Sequence, residues 1–350
     1  MRFELNDDQS LLQRSTRDFF AAEYPLEQSR QVMEHEASGF EATAWQRLAE
    51  MGYVGLTVPV EHGGQGLGPI ELAVVLEEAG RQCTPGPLLD AVLAADLLAR
   101  GQDHGALLAD VLTGAKLATV ARETAPFGGS ATDAPVIDDG RLRGHYYFVP
   151  FAASVDALVV AGPDGLVVAD APFDVVPLAT IDPGQRFGQV RLDHGVRPLG
   201  PATLLEHGDR LAAVGAAAML LGLMSRMLEV TLEYVQTRAT FGRPIGSFQA
   251  LQHRLADLLL KTESSRSAVY RAAWCLATDD HDAPLACATA KAYAGDAARL
   301  VCGETIQMHG GIGFTWELDV HLYFKRAKTL EQHYGSTTAQ LETALAAAGY

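Results

Sequence analysis

Between Leu211 and Leu228 the sequence reads LAAVGAAAMLLGLMSRML, apolar nearly all round rather than along one stripe. A helix without a polar face must be enclosed on most sides, so this segment predicts the central helix of a bundle. Its most apolar part, Leu211 to Met224, is about fourteen residues, short of the ~20 needed to span a bilayer. Helices to enclose it follow in SFQALQHRLADLLLKTESSRSAVYRAAWCLA (247–277), APLACATAKAYAGDAARLVCGETIQMHGG (283–311) and a shorter pair from Glu317 to Ala348. Pro244 in GRPIGSF separates the first two, because proline cannot continue a helix.

Two other textures precede this bundle. DDQSLLQRSTRDFFAAEY (7–24) puts Leu11, Leu12, Phe19 and Phe20 on a helical stripe, with Asp7, Asp8 and Ser10 available as caps. EATAWQRLAEMGYVGL, IELAVVLEEAGR and LLDAVLAADLLARG repeat the pattern, the last two closing at Gly80 and Gly101. The short apolar runs LATVA, YYFV, DALVVAG and LVVADA then alternate with turn signals such as Asp138-Asp139-Gly140 and Pro163-Asp164-Gly165. The fold class read from this order is α+β: a helical N-terminal domain (1–115), a central antiparallel β domain (116–203) and a C-terminal helical bundle (204–350). Strands and helices do not alternate at βαβ spacing, so GGQGLG (63–68) reads as a loop and not as a dinucleotide fingerprint.

Composition narrows the function classes. The chain has 350 residues, 48% hydrophobic and 20% charged, which is the make-up of an ordinary globular protein with room for two or three domains. With 43 acidic against 27 basic residues, the net charge of −16 argues against nucleic acid or an anionic membrane as main partner. A phosphorylated cofactor stays compatible, since a few placed arginines and helix N-termini can hold one locally. Cys83, Cys275, Cys287 and Cys302 lack CxxC spacing and read as buried free thiols in a reducing compartment. The first residues, MRFELNDDQSLLQRSTRDFF, lack the apolar core of a signal peptide, and a cytoplasmic location is expected. There is no GxSxG, no HExxH and no His or Cys cluster at ligand spacing, so neither a nucleophilic serine nor a metal site is expected.

Two motifs carry the chemistry that is present. In RATFGRPIGSFQALQ (238–252), Arg238 closes a buried helix where the dipole favours a cation. It could simply cap the carbonyls there, with Phe241 and Phe248 plugging the core. QMHGGIGF (307–314) places three glycines in four positions after an Ala-rich helix, where one would suffice for a C-cap. Taken together, Arg238, Gln249, Gln307 and the pair Gly310-Gly311 suit a diphosphate with an attached nucleoside.

The order Arg-x-x-Phe-Gly-x-Pro-Ile-x-x-Phe-Gln-x-x-Gln-x-x-Leu-Ala-Asp, followed by Gln-x-x-Gly-Gly-x-Gly, resembles the acyl-CoA dehydrogenase family. PVEHGGQGLG (59–68) and VLEEAGR (75–81) are similar to further family segments, and the resemblance covers essentially the whole chain. It implies FAD as cofactor, an acyl-CoA thioester as substrate and electron-transfer flavoprotein as acceptor. It also implies that the two C-terminal motifs hold the ADP portion of a flavin belonging to a neighbouring subunit. Arg238 and Phe241 would face the diphosphate and ribose, and Gln249, Gln307, Gly310 and Gly311 the adenosine side.

The resemblance fails at the catalytic base. Most members carry a Glu in a Tyr-Glu-Gly-Thr segment; aligning Arg326-Ala327-Lys328 and Gly335 puts Tyr334 in its place, with Ser336 and Thr337 on flavin-touching positions. Other members place the Glu on the first bundle helix, where this chain has Ala212. Glu331 is three residues from Tyr334 and could reach in, though a solvated acid on a helix face is the plainer reading. The family's Thr-Glu-Pro-x-x-Gly-Ser-Asp is RETAPFGGSATDAP here, with Arg122 in the threonine's place, and YYFVPFAA replaces Trp-Ile-Thr. A chain that keeps half a flavin site and loses its base resembles the smaller, non-catalytic subunit of heteromeric α2β2 acyl-CoA dehydrogenases of bacterial steroid and sterol side-chain degradation, with no catalytic residue of its own and a paralogous subunit as partner in the heterotetramer. A homomeric enzyme with a relocated base and a non-enzymatic scaffold are the alternatives.

Overall fold

The computed structural model describes residues 4–102, 105–125 and 134–350. Six helices come first: α1 (Asp7–Glu23), α2 (Leu26–His35), α3 (Ala42–Glu50), α4 (Pro69–Arg81), α5 (Leu88–Arg100) and α6 (Gly105–Leu112). α1 starts at a reciprocal capping box in which Asn6 Oδ1 accepts from the Gln9 amide at 2.8 Å and Gln9 Oε1 accepts from the Asn6 amide at 3.1 Å. The cap is therefore Asn6; Asp7 and Asp8 lie in the first turn, where they complement the helix dipole instead.

Strands β1 (Ala118–Ala121), β2 (Val136–Asp138), β3 (Arg141–Pro150), β4 (Ala157–Ala161), β5 (Leu166–Asp170), β6 (Asp174–Leu178), β7 (Phe187–Gly195) and β8 (Arg197–Gly200) form two sheets. One has the order β2-β3-β7-β6 and is antiparallel throughout. The other, β1-β4-β5-β8, is antiparallel except for β1, which pairs with β4 in parallel. The parallel pair departs from the purely antiparallel reading. β2 and β3, both in the other sheet, intervene between β1 and β4, so the chain returns in the same direction. The sheets are linked through Thr119, whose hydroxyl donates to the Pro150 carbonyl at 2.9 Å, and Tyr146, whose hydroxyl donates to that of Ala161 at 2.7 Å.

After β8 the chain is helical: α7 (Ala202–Thr237), α8 (Gln249–Ala277), α9 (Ala283–His309), α10 (Val320–Gln332) and α11 (Thr337–Ala347). A two-residue ribbon, β9 (Ala239–Thr240) with β10 (Arg243–Pro244), separates α7 from α8. α7 runs for 36 residues and is apolar and long enough to cross a membrane, but 89% of its most apolar window is buried inside the fold. It is the enclosed helix that the sequence required, extended by polar turns at both ends.

The chain forms two compact units. One comprises Met1–Leu26, Pro69–Thr84 and Arg210–Tyr350; the other comprises Glu27–Gly68 and Pro85–Asp209. In the first, α4 and α7 pack backbone to backbone. A Cβ on Gly80 would come within 2.1 Å of the Met219 carbonyl, and one on Gly222 within 1.9 Å of the Glu77 carbonyl. Gly80 thus lies inside α4 and does not end it; glycine stands there because a neighbouring helix leaves no room for a methyl group. In the second unit, GGQGLG is a loop folded back on residues 55–58, with Gln65, Gly66 and Leu67 amides donating to the Gly55, Val58 and Leu56 carbonyls. All four cysteines are buried thiols outside any disulfide.

Candidate nucleotide half-site

The two sequence motifs meet at one end of the C-terminal helices. α7 stops at Thr237, and the chain turns through Phe241 (φ 54°) and Gly242 (φ 77°). Two left-handed residues between paired strands make a tight hairpin of the primed type. A bulky residue pays a steric penalty in that region, yet Phe241 occupies it and is 91% exposed. It does not plug the core. The hairpin tip holds an aromatic ring out into solvent, with Phe248 edge-on at 6.5 Å and the Arg243 guanidinium 4.1 Å above the Phe248 ring.

α8 begins at Gln249 behind Phe248 with no side-chain cap, and the Leu251 and Gln252 amides donate to the Phe248 carbonyl at 3.0 and 3.1 Å. Gln249 and Arg238 are exposed, as is Gln307 in the last turn of α9. The 3-10 turn before α8 lies against the last turn of α7: a Cβ on Gly246 would sit 3.0 Å from the Val235 carbonyl. Arg254 of α8 pairs with Glu304 of α9 at 3.1 Å. The Tyr234 ring of α7 stacks on His309 of α9, centroids 4.3 Å apart. These contacts gather Arg238, Phe241, Gln249, Gln307, Gly310 and Gly311 at one bundle end.

The three glycines of QMHGGIGF have separate reasons. Gly310 takes φ 64° and ψ −143° at the end of α9, a conformation open essentially to glycine alone. A Cβ on Gly313 would come 2.7 Å from the Ile306 carbonyl and 3.2 Å from His309 Cβ. Gly311 has neither constraint: its backbone is not left-handed, and nothing lies within 4 Å of where its Cβ would be. Nothing among the described residues accounts for it. Phe314 and Trp316 continue the exposed aromatic edge, with the Lys325 ammonium 4.8 Å from the Trp316 ring.

The two positions that the resemblance assigns to a base carry no carboxylate. Ala212 is buried in α7. Tyr334 is buried at φ 61° and is followed by Gly335 at φ 93°. Side-chain donors clamp this turn: Lys291 Nζ donates to the Glu331 carbonyl at 3.1 Å and to that of Gly335 at 2.9 Å, and Gln340 donates to the Tyr334 carbonyl at 2.8 Å. Glu331 is not a solvated acid. It is 7% exposed, packs on Gly295, and its carboxylate is 2.5 Å from Lys328 Nζ and 4.0 Å from Arg299. Ser336 caps α11 by accepting from the Ala339 amide at 3.2 Å.

The β-sheet segments are committed elsewhere too. Arg122 is held by Asp209, with a 3.2 Å bond to its carboxylate, and by Glu123 at 3.4 Å. Of RETAPFGGSATDAP, residues 126–133 lie outside the described residues. In YYFVPFAA, Tyr146 and the Pro150 carbonyl are used between the sheets, and Phe148 and Phe151 adopt positive φ around a bulge.

A chain with this α+β arrangement and an outward-facing set of cation, amide and bare-backbone groups belongs to the acyl-CoA dehydrogenase family. The N-terminal domain of that family matches residues 6–103 and its C-terminal domain residues 210–349. The acyl-CoA dehydrogenase IpdE2 of Mycobacterium tuberculosis is 35% identical over 290 residues, covering 83% of this chain and 81% of its own. The ChsE4-ChsE5 complex from Mycobacterium tuberculosis superposes with a TM-score of 0.90 at 28% identity, covering 100% of this chain and 99% of the other. The Tcur3481-Tcur3483 steroid ACAD G363A variant gives 0.88 at 31% identity, with 98% of each chain covered. The chain is accordingly of the acyl-CoA dehydrogenase class, and FAD is the cofactor of that family.

The fit to FAD rests on the chain itself. A bare Gly311 cradle, an exposed Phe241 in a costly conformation and the start of α8, which has no side-chain cap, suit an adenosine diphosphate laid against them. Sequence reasoning missed Tyr234, Thr231 and Thr305, which join α7 to α9 beneath the site. The available signal was the spacing of Tyr234, one helical turn before Arg238.

Proposed function

We propose that this chain is the non-catalytic subunit of a heteromeric acyl-CoA dehydrogenase. Arg238 and Phe241 hold the diphosphate and ribose of a flavin seated mainly in a paralogous partner chain, and Gln249, Gln307, Gly310 and Gly311 line its adenosine side. FAD, when bound, supplies the hydride acceptor for α,β-dehydrogenation of the acyl-CoA. The residues of this chain bind and orient; they abstract no proton, because Tyr334 and Ala212 stand where carboxylates would and Glu331 is tied to Lys328. The observation that carries the reading is an exposed Phe241 at positive φ and a bare Gly311, together with the absence of a carboxylate at Ala212 and Tyr334. Likeness to a steroid acyl-CoA dehydrogenase and to a two-protein complex supports a steroid-derived acyl-CoA and a paralogous partner in an α2β2 assembly. Electron-transfer flavoprotein is the proposed acceptor.

Co-purification from the native host, with partner identity and the flavin-to-chain ratio measured together, tests this. The expected result is a second acyl-CoA dehydrogenase chain and fewer flavins than chains. A yellow homotetramer with one FAD per chain and full activity would overturn it.

A further inference from the structure

Six exposed residues on three helix ends make a site only if those ends are fixed relative to one another. Arg238 directly follows α7, Gln307 lies in the last turn of α9 and Gly311 just beyond it, and the two helices are joined at this end by a short polar ladder. Its deeper rung is the pair Thr231 of α7 and Thr305 of α9, both buried, hydroxyls 3.2 Å apart. Each also lies against a carbonyl of its own helix, Met227 at 2.7 Å and Val301 at 3.0 Å. The outer rung is the stack of Tyr234 on His309, with ring planes inclined by 26° and the Tyr234 hydroxyl donating to the His309 carbonyl at 3.3 Å.

His309 cannot rotate freely within this rung. Its Nδ1 is 2.7 Å from the Thr305 carbonyl, and a carbonyl only accepts, so Nδ1 carries the proton and the tautomer is set. Burial lowers the imidazole pKa, with the Thr305 carbonyl opposing, which favours the neutral ring that stacks on Tyr234. His309 is the residue before Gly310, and Tyr234 is one turn before Arg238. The outer rung therefore spans the two motifs directly.

We propose that Tyr234 and His309 are positioning residues of the half-site: their stack sets the distance between Arg238 and the Gln307–Gly311 backbone, and thereby the affinity for the adenosine diphosphate portion of FAD. The inference rests on the reading of these motifs as a flavin half-site. A purely packing role would lower stability without a specific effect on flavin, and a positioning role acts on flavin first.

The test uses the flavin-loaded native assembly, with FAD itself as probe. Tyr234→Leu removes the ring and the hydroxyl and is expected to raise the FAD dissociation constant about tenfold or more, since small misplacements of binding groups carry costs of that order. The apparent KM for added FAD should rise while kcat at saturating FAD stays unchanged. Tyr234→Phe restores the stack and should return affinity to within about threefold, the weight of one long hydrogen bond. Val269→Ala, in the buried middle of α8, serves as a stability control and should lower Tm with FAD affinity unchanged. If Tyr234→Leu does not assemble, His309→Leu, which removes the other ring of the stack, takes its place with the same expected direction. Unchanged affinity in the ring variant while Arg238→Ala weakens FAD would overturn the positioning role and leave the half-site standing. Unchanged affinity in both would overturn the half-site itself. Weakening by Val269→Ala equal to that by Tyr234→Leu would reduce the stack to packing.

Discussion

Lys291 is 1% exposed, a rare burial for an ammonium group. Desolvation pushes its pKa down to about 8 from 10.5, with the Glu331 carboxylate opposing. The folded ammonium gives up its proton before the unfolded one does, so between pH 8 and 10.5 unfolding takes up a proton and stability rises with pH. The rise is on the order of 3 kcal/mol at most, and Lys291→Met should abolish it in unfolding curves recorded from pH 7 to 11, about the range that brackets the titration. The carboxylate that Lys291 faces belongs to Glu331, and its pairing with Lys328 leads to a second expectation. Glu331→Gln and Tyr334→Phe should leave turnover of the assembly within a few-fold, whereas loss of a positioned base costs about 10²–10⁴-fold. A hundredfold loss from Glu331→Gln with FAD still bound would place the base in this chain. Lys328 was legible as a partner at i−3 on the same helix. The burial of Glu331 was not, because it comes from Gly295 and Lys291 on another helix, and side-chain spacing along one helix carries no information about what packs against it.

The segment QMHGGIGF separates demands that a motif search merges. Gly311→Ala adds a methyl group to open space and should leave Tm unchanged while weakening FAD retention in the assembly, measured by flavin released on dilution. Gly313→Ala forces a methyl group against the Ile306 carbonyl and should lower Tm by a core-overpacking amount, about 1–3 kcal/mol of stability. If Gly311→Ala also lowered Tm, the bare backbone would have an internal reason after all. Elements of this kind divide sharply in what the sequence reveals. The longer helices and the strands β1, β3, β4 and β5 were legible from periodicity, and so was the break after Arg238; α2, α6 and the other strands were not. The hairpin that lifts Phe241 out was not, because a phenylalanine at positive φ runs against its own conformational preference. Gly80 misled for the same kind of reason: chain-local logic reads a terminus, while the cause is Met219 on a distant helix.

At the scale of the molecule, the chain joins a net charge of −16 to exposed Phe241, Phe314, Leu260 and Leu345 on its helical part. Scattered apolar residues are ordinary, but large aromatic rings held outward at a hairpin tip mark a surface that is normally covered. Expressed alone, the chain should be nearly colourless and prone to self-association, and co-expression with its partner should restore both solubility and flavin; a yellow, monodisperse product from the single chain would contradict this. The order helix, sheet, helix was readable from texture alone. That α1 and α4 share a compact unit with the C-terminal helices was not, since it depends on contacts between segments far apart in sequence. One surface residue has a practical consequence. Trp316 is 53% exposed at the edge of the half-site, whereas Trp45 is buried. An indole in water emits at longer wavelength than one that is covered, and a nearby flavin quenches it. The protein therefore carries its own optical gauge at this edge: what settles there will change the colour and brightness of its ultraviolet fluorescence, without any label.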